Sequence, residues 1–210
     1  MVLAHHIIFT AYGFWLPNDP RGSWSDFVAA WELFRAGGKA TKTDERRSLA
    51  RDAHDARKRL EVKRSLKHPP VQFTGPQALA IANGFREACA DAGYVFYALA
   101  ILPEHVHGVL GRHDSAVTRI VGQLKSRATH QMRVAGLHPF QDGRTADTAL
   151  PTPWAQGCWK VFLNSDEDVA RAIEYVENNP LKENKPRQRW SFVAPYVPHY
   201  EGDAPRRRGG

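Results

Sequence analysis

Cysteine is scarce in this 210-residue chain, which holds only Cys89 and Cys158. They are too far apart for a Cys-x-x-Cys motif, so a disulfide scaffold and a cysteine-built zinc site are both excluded, and a reducing compartment is expected. Long apolar runs are also missing, because none approaches the roughly 20 residues that span a bilayer. The start, MVLAHHIIFTAYG, shows no basic leader followed by a long apolar segment. We therefore expect a cytoplasmic protein with no membrane partner.

Acidic residues are too few to balance the basic ones. The chain carries 29 Lys and Arg against 22 Asp and Glu, a formal net charge of +7. Such a surplus suits a polyanion, most often nucleic acid, although the terminal cluster Arg206–Arg208 supplies part of it. No glycine-rich phosphate-binding loop is visible, so no nucleotide cofactor is expected. Apolar residues make up 42% of the chain, which is enough for a folded core.

The order of predicted elements indicates the fold class. β-branched and aromatic residues predict a strand over 3–12, and two further strands, 94–102 and 105–111, form a hairpin broken at Pro103. Apolar spacing and boundary residues predict three helices, over 74–93, 115–136 and 165–180. A fourth strand is predicted over 158–164. This is the split βαβ order of the α+β ferredoxin-like fold. We expect an antiparallel sheet with helices on one face and the other face free for a site.

The domain organisation is expected to be simple, with residues 1–200 forming a single domain. Within it, 41–68 is highly charged and predicts a surface helical insertion ended by Pro69, since apolar residues recur at helical spacing at Leu49, Ala53, Ala56 and Leu60. Pro180 is expected to end the last helix, because the residue before a proline avoids helical geometry. The basic tail 201–210 is expected to be disordered.

Two histidines lie in the third predicted strand, in the stretch HVH. Alternation places His105 and His107 on one face, about 7 Å apart, with Val106 turned to the core. Two neutral imidazoles on an open sheet face can share one cation, and each ring then needs an orienting partner for its second nitrogen. The alternative is a pair of half-exposed strand histidines without a ligand. His5 and His6 are adjacent, point to opposite faces and make a poorer chelate.

A second candidate site lies at the end of the last predicted helix, in AIEYVENNPLK. Tyr175 and Asn179 are four residues apart and share a helix face. Asn179 offers an amide oxygen as a third ligand, and Tyr175 offers a phenol that is a weak nucleophile unless a metal or base assists it. The alternative is a boundary tyrosine followed by a C-terminal asparagine cap. If the two candidate sites meet, a basic chain makes a nucleic-acid phosphodiester the natural substrate.

Four stretches, in this order and spacing, resemble the single-tyrosine HUH transposases, in particular their REP-associated tyrosine transposase branch. They are LAILPEHVHGVLG, GQLKSRATH, CWKVFLN and IEYVENNPLK. HVH matches the family's His-hydrophobic-His motif, and YVENNP matches its Tyr-x-x-x-Asn-Pro motif. FTAYGFWLPNDPRGSW also resembles N-terminal regions of such proteins. The resemblance covers about residues 1–195.

The resemblance implies a metal-dependent transposase or endonuclease that cleaves and rejoins single-stranded DNA at hairpin-bearing sites. Tyr175 would be the nucleophile, leaving a 5′-phosphotyrosine link and a free 3′-hydroxyl. His105, His107 and Asn179 would hold Mg²⁺ or Mn²⁺, although imidazole preference alone points to Zn²⁺ or Ni²⁺. Family members include monomers and dimers, so a homodimer is one expected assembly, and DNA as partner implies association with the nucleoid.

Candidate DNA contacts are basic side chains for phosphates and tryptophans for base stacking, namely Lys125, Arg127, Lys160, Lys182, Lys185, Arg21, Trp15 and Trp24. Each also suits an ordinary surface or packing role. Two alternatives to a transposase stay open. One is a domesticated relative that nicks and rejoins repeats without moving its own gene. The other is a non-catalytic nucleic-acid-binding module on the same fold, which would not need Tyr175.

Overall fold

A four-stranded antiparallel sheet forms the centre of the computed structural model, which describes residues 1–45, 49, 52–141 and 149–198. The strands are β1 (Ala4–Thr10), β2 (Phe96–Ile101), β3 (His105–Gly111) and β4 (Trp159–Leu163). Their spatial order is β2-β3-β1-β4, which is the order of a split βαβ fold. The predicted α+β ferredoxin-like class is confirmed. The tail predicted at 201–210 lies outside the described residues.

Helices in the described ranges are α1 (Trp31–Gly37), α2 (Ala56–Arg64), α3 (Gly75–Ala92), α4 (Val117–Val134) and α5 (Asp166–Lys182). The three longest match predicted helices because their ends carry strong local signals. Thr74 caps α3 in a reciprocal pair with Gln77, and Gly93 ends it with a left-handed φ of 73°. Ser165 caps α5 by accepting a hydrogen bond from the Asp168 amide. Among the described residues, no helix combines the length and hydropathy of a membrane-spanning segment.

The charged insertion contains a shorter helix than predicted. α2 begins after Asp55, whose carboxylate accepts a hydrogen bond from the Lys58 amide at 2.9 Å, so Leu49 precedes the helix instead of starting it. Leu60 is 57% exposed, and the buried residue of α2 is Val62. Val62 packs with Leu16 and Leu33, a residue of the unpredicted helix α1. Residues 46–48, 50 and 51 of the insertion lie outside the described part of the chain.

One face of the sheet is covered by α3 and α4. Large apolar side chains fill this layer, among them Ile7, Phe9, Phe85, Phe96 and Leu124. The two helices approach each other closely at Gly84, where an added Cβ would lie 2.6 Å from the backbone nitrogen of Ala128. This layer is the main hydrophobic core of the described residues.

The opposite face is partly covered by α5, so the expectation of helices on one face holds for α3 and α4 but not for α5. Val169 and Val176 on α5 pack with the strand residues Ala98 and Ala100, since an amphipathic helix must bury its apolar stripe. α5 also continues through Pro180, contrary to prediction. A proline this close to the helix end removes one donor only, and its carbonyl accepts from the amides that follow, those of Glu183 and Lys185.

Candidate active site

Strand β3 presents its two histidines to the face that α5 occupies. The ring centroids of His105 and His107 are 4.8 Å apart, while Val106 lies in the core on the other side. His107 is buried, and His105 is buried except for 14% of its side chain. Strand alternation predicts this common face, and the structure adds that a helix lies over it.

Helix α5 brings Tyr175 to this pair. The ring centroid of Tyr175 lies 5.7 Å from that of His107, and Tyr175 remains 39% exposed. Partial burial raises the pKa of the phenol, so Tyr175 is protonated at neutral pH. The ammonium group of Lys182 lies 4.0 Å from the centre of the Tyr175 ring. A substrate can therefore reach a neutral phenol that has a cation beside it.

Asn179 lies between Tyr175 and Glu183 on one face of α5. Glu183 Oε1 is 3.9 Å from His105 Nε2, and Tyr175 contacts His107, so the intervening turn runs along β3. Asn179 is 6% exposed, and its amide nitrogen is buried without a hydrogen-bond partner. The structure thus brings the candidate nucleophile to the two candidate histidine ligands, and Asn179 lies one turn further along the same face of α5.

His6 joins this site, although the sequence pattern did not select it. Its Nε2 lies 3.3 Å from His107 Nδ1, and its ring centroid is 5.5 Å from that of Tyr175. The β1–β3 register pairs Ile8 with His107, which makes His6 a diagonal neighbour of His107 on the same face. Alternation along β1 predicts the side of the sheet on which the His6 side chain lies, but only the strand register shows which residues it contacts.

Burial keeps these imidazoles neutral. It lowers the pKa of His6 and of His105 to about 4. The pKa of His107 lies well below its usual range, because of burial first and then because of nearby His105, His6 and Lys182. A neutral imidazole is the form that ligates a metal. At neutral pH the site therefore offers free nitrogen lone pairs in place of positive charge.

The donor set fits a divalent cation when the asparagine is included. His105 Nδ1 and the Asn179 amide nitrogen are buried without hydrogen-bond partners, while His107 Nδ1 is oriented by His6. Among the described residues, no group of three His, Cys, Asp or Glu side chains is arranged to hold a metal. A cation here would need the amide oxygen of Asn179, which becomes available when the amide is placed with oxygen inward.

Two of the candidate DNA contacts, Trp15 and Arg21, make contacts within the protein instead. The Arg21 guanidinium lies 3.8 Å from the centre of the Trp15 ring, and Arg21 Nε is 2.8 Å from the fully buried carboxylate of Asp19. Trp15 Nε1 donates to the Gly22 carbonyl at 2.8 Å. With only 3% of its side chain exposed, Arg21 stabilises the loop after β1 and offers no surface to DNA in this conformation.

The candidates on α4 are also paired and lie on the side of the sheet away from Tyr175. Lys125 Nζ donates to the carbonyls of Ala155 and Gly157, at 2.8 and 2.6 Å. Burial lowers the Lys125 pKa to about 8. Arg127 forms an exposed ion pair with Asp91 at 2.5 Å. Lys125 therefore holds the segment before β4, and Arg127 keeps only a solvent-exposed role.

The remaining candidates differ in their distance from the phenol. Lys182 and the exposed Trp24 lie beside the site, because Lys182 contacts Tyr175 and Trp24 stacks on Trp159 of β4. Lys160 is exposed but alternates with Trp159 along β4 and so points to the other face of the sheet. Lys185 is half-buried just beyond α5.

Comparison with known proteins agrees with the resemblance found in the motifs. No family model matches the chain. A candidate REP-associated tyrosine transposase of Haemophilus influenzae is 24% identical over 102 residues, which are 48% of this chain and 57% of the relative. The chain is similar to a REP-associated tyrosine transposase. It spans a little over half the length of that curated relative.

Two solved transposase structures are also similar to this chain. A REP-associated tyrosine transposase bound to a REP hairpin aligns with a TM-score of 0.46 and 14% identity, covering 86% of this chain and 68% of the other. A candidate transposase of Deinococcus radiodurans aligns with a TM-score of 0.39 and 15% identity, covering 85% of this chain and 91% of the other.

Proposed function

We propose that this chain is a metal-dependent transposase or endonuclease that cleaves and rejoins single-stranded DNA at hairpin-bearing sites. The observation that supports this most is the position of Tyr175, 5.7 Å from His107 between ring centroids and still 39% exposed. A phenol open to solvent, beside neutral imidazoles and a buried amide, suits attack on a phosphodiester.

In the proposed reaction, Tyr175 Oη attacks the phosphorus of one phosphodiester. The bond from phosphorus to the 3′-oxygen breaks as the bond to the phenol oxygen forms. The phenolic proton passes to solvent, and the 3′-oxygen takes up a proton to become a hydroxyl. One phosphoester replaces another, so no ATP is needed. Rejoining is the same exchange in reverse, with a 3′-hydroxyl as the attacking group.

The chain's residues would divide the work as follows. His105, His107 and Asn179 would hold Mg²⁺ or Mn²⁺, which polarises a phosphoryl oxygen when bound. His6 orients the His107 ring through its contact with Nδ1. Lys182, 4.0 Å from the centre of the Tyr175 ring, favours the negative charge that develops as the phenol loses its proton.

DNA as the substrate is supported by the net charge of +7 and by the family motifs around His105, His107 and Tyr175. The preference for a hairpin is carried by the motif resemblance alone. A labelled oligonucleotide that folds into a hairpin with a single-stranded flank is therefore the first substrate to test.

The decisive experiment compares wild type with Tyr175→Phe, incubated with this oligonucleotide and Mn²⁺. We expect a denaturant-resistant protein–DNA adduct with wild type and none with Tyr175→Phe. Tyr196→Phe is the matched control, since its hydroxyl bonds to Asp166 instead of facing the histidines, and it should form the adduct normally. Equal adducts from wild type and Tyr175→Phe would exclude this nucleophile. DNA binding without any adduct would favour a non-catalytic binding module.

A further inference from the structure

We propose that Trp24 and Trp159 form a stacking site for one base of the single-stranded DNA, close to the phosphodiester that Tyr175 attacks. We call this pair the tryptophan shelf. The proposal rests on the proposed function, because it names where a base of that substrate lies. Trp159 was not among the residues that the sequence pattern selected.

The tryptophan shelf is a preformed aromatic surface. The two indole rings are nearly parallel, with an angle of 17° and centroids 5.5 Å apart. Trp24 is 48% exposed, and its Nε1 donates to the carbonyl of Glu45 at 3.3 Å. The ring is therefore held on one side and open on another, as a stacking platform for a planar ligand must be.

The tryptophan shelf is continuous with the candidate active site. The register pairs Ile8 with His107 on one side and with Trp159 on the other, so Trp159 and His107 point to the same face of the sheet. The Trp159 ring lies 5.4 Å from that of His6, nearly perpendicular to it, and His6 is 5.5 Å from Tyr175. A chain of ring contacts thus connects the shelf to the nucleophile.

The surface beside the shelf is open. α5 contacts β2 and β3 more than β4, and Val161, which follows Trp159 on the same face of β4, is 36% exposed. A strand whose phosphate reaches Tyr175 would have Lys182 near its charged backbone and the tryptophan shelf on the other side for a base. This separation of charge from aromatic surface is typical of single-strand binding sites.

A second exposed aromatic pair in the described residues provides a matched control. Trp31 and Phe34 on α1 stack with centroids 5.7 Å apart and an angle of 16°, and Trp31 is 63% exposed. They make no ring contact with His6, His107 or Tyr175 among the contacts of the described residues. Exposure and stacking are shared by both pairs, whereas the tryptophan shelf alone of the two is linked to Tyr175 by ring contacts of the described residues.

The test measures oligonucleotide binding by fluorescence anisotropy in a Tyr175→Phe background, which cannot form the adduct. Trp24→Leu should weaken binding about 5- to 150-fold, the range expected when one base loses its aromatic platform. Trp24→Phe should restore part of the loss, and Trp31→Leu should bind like the background protein. Unchanged binding by Trp24→Leu would overturn the proposal.

A scan with abasic substitutions identifies the base. Removing the base at one position near the cleaved phosphodiester should weaken binding to the background protein. The same removal should not weaken binding to the Trp24→Leu protein any further. If every abasic position costs the same in both proteins, the shelf does not hold a base. A failure of the proposed function is distinct from this, because wild type would then form no adduct with any oligonucleotide.

Should Trp24→Leu fail to fold, tryptophan fluorescence decides the question. Adding the oligonucleotide should quench the background protein, and Trp24→Phe should lose part of that quenching while Trp31→Phe retains it. Equal quenching in all three proteins would overturn the proposal.

Discussion

The two faces of the sheet are built from different kinds of residue. Toward α3 and α4, bulky side chains such as Phe9 and Phe85 fill an apolar layer. Toward α5, the strands offer Ala98 and Ala100 near the packed end of the helix, and His6 and His107 where the helix carries Tyr175. Burial of apolar surface stabilises a fold, whereas neutral buried imidazoles contribute little. The first face therefore provides stability, and the second uses some of that stability to hold reactive groups.

The second face also holds two unpartnered polar atoms within the candidate active site. Buried polar groups without hydrogen-bond partners are costly and uncommon, yet His105 Nδ1 and the Asn179 amide nitrogen are both of this kind. Changes on the first face should alter stability without altering chemistry, whereas changes on the second face should alter chemistry first and stability less. Four substitutions or conditions test this contrast.

The largest expected effect is on chemistry. His105→Ala should abolish adduct formation, since it removes one of the candidate ligands, while most DNA affinity remains because phosphate contacts supply most of it. Adduct yield in Mn²⁺ and anisotropy binding measure the two properties. His130→Ala, on α4, is the control and should retain both. Complete loss of DNA binding in His105→Ala would show that the histidine is structural.

The next effect is on stability, at the crossing of α3 and α4. Gly84→Ala should lower the free energy of unfolding by about 3 kcal/mol, because its Cβ would collide with backbone atoms of the facing helix. Gly122→Ala, which meets nothing within 4 Å, should instead raise it by about 0.5–1 kcal/mol. Urea denaturation measures both. A Gly84→Ala protein as stable as wild type would contradict the close helix approach.

A smaller effect separates two adjacent histidines. His6→Ala should weaken Mn²⁺ binding about 10- to 100-fold, because it removes the partner that orients His107. His5→Ala should leave the affinity unchanged, since His5 points to the other face and contacts Phe162. Calorimetric titration of the DNA-free protein measures this. Equal losses in the two variants would argue against an orienting role for His6.

The smallest effect is a pH dependence of stability in the metal-free protein. The folded pKa of His6 is about 4 against an ordinary value of 6.5, so between these values the unfolded chain binds more protons. The free energy of unfolding should therefore fall as the pH drops from 7 to 5. His6→Asn should reduce this fall by about 1–2 kcal/mol, measured by urea denaturation at both pH values. An unchanged pH profile would show that His6 is not held neutral.

Much of the first face could be predicted from local patterns. The buried residues Val117, Ile120, Val121 and Leu124 follow helical spacing, and Thr74 with Gly93 marks both ends of α3. The placement of α5 could not be predicted in the same way. Its stripe shows that one side must be buried, but either face of the sheet would satisfy that requirement. The prediction that α5 ends at Pro180 was wrong for a different reason. Pro180 lies in the last turn of the helix, where the loss of one backbone donor has little effect on stability.

Local spacing along the chain is enough to show which residues share a face within each strand or helix. A period of two in strands pairs His105 with His107, and a period of 3.6 in helices pairs Tyr175 with Asn179. That these two faces meet, and that His6 and Trp159 join them, follows from the packing of the folded chain. Those contacts depend on strand register and helix packing between residues far apart in the chain, and local spacing carries no information about either.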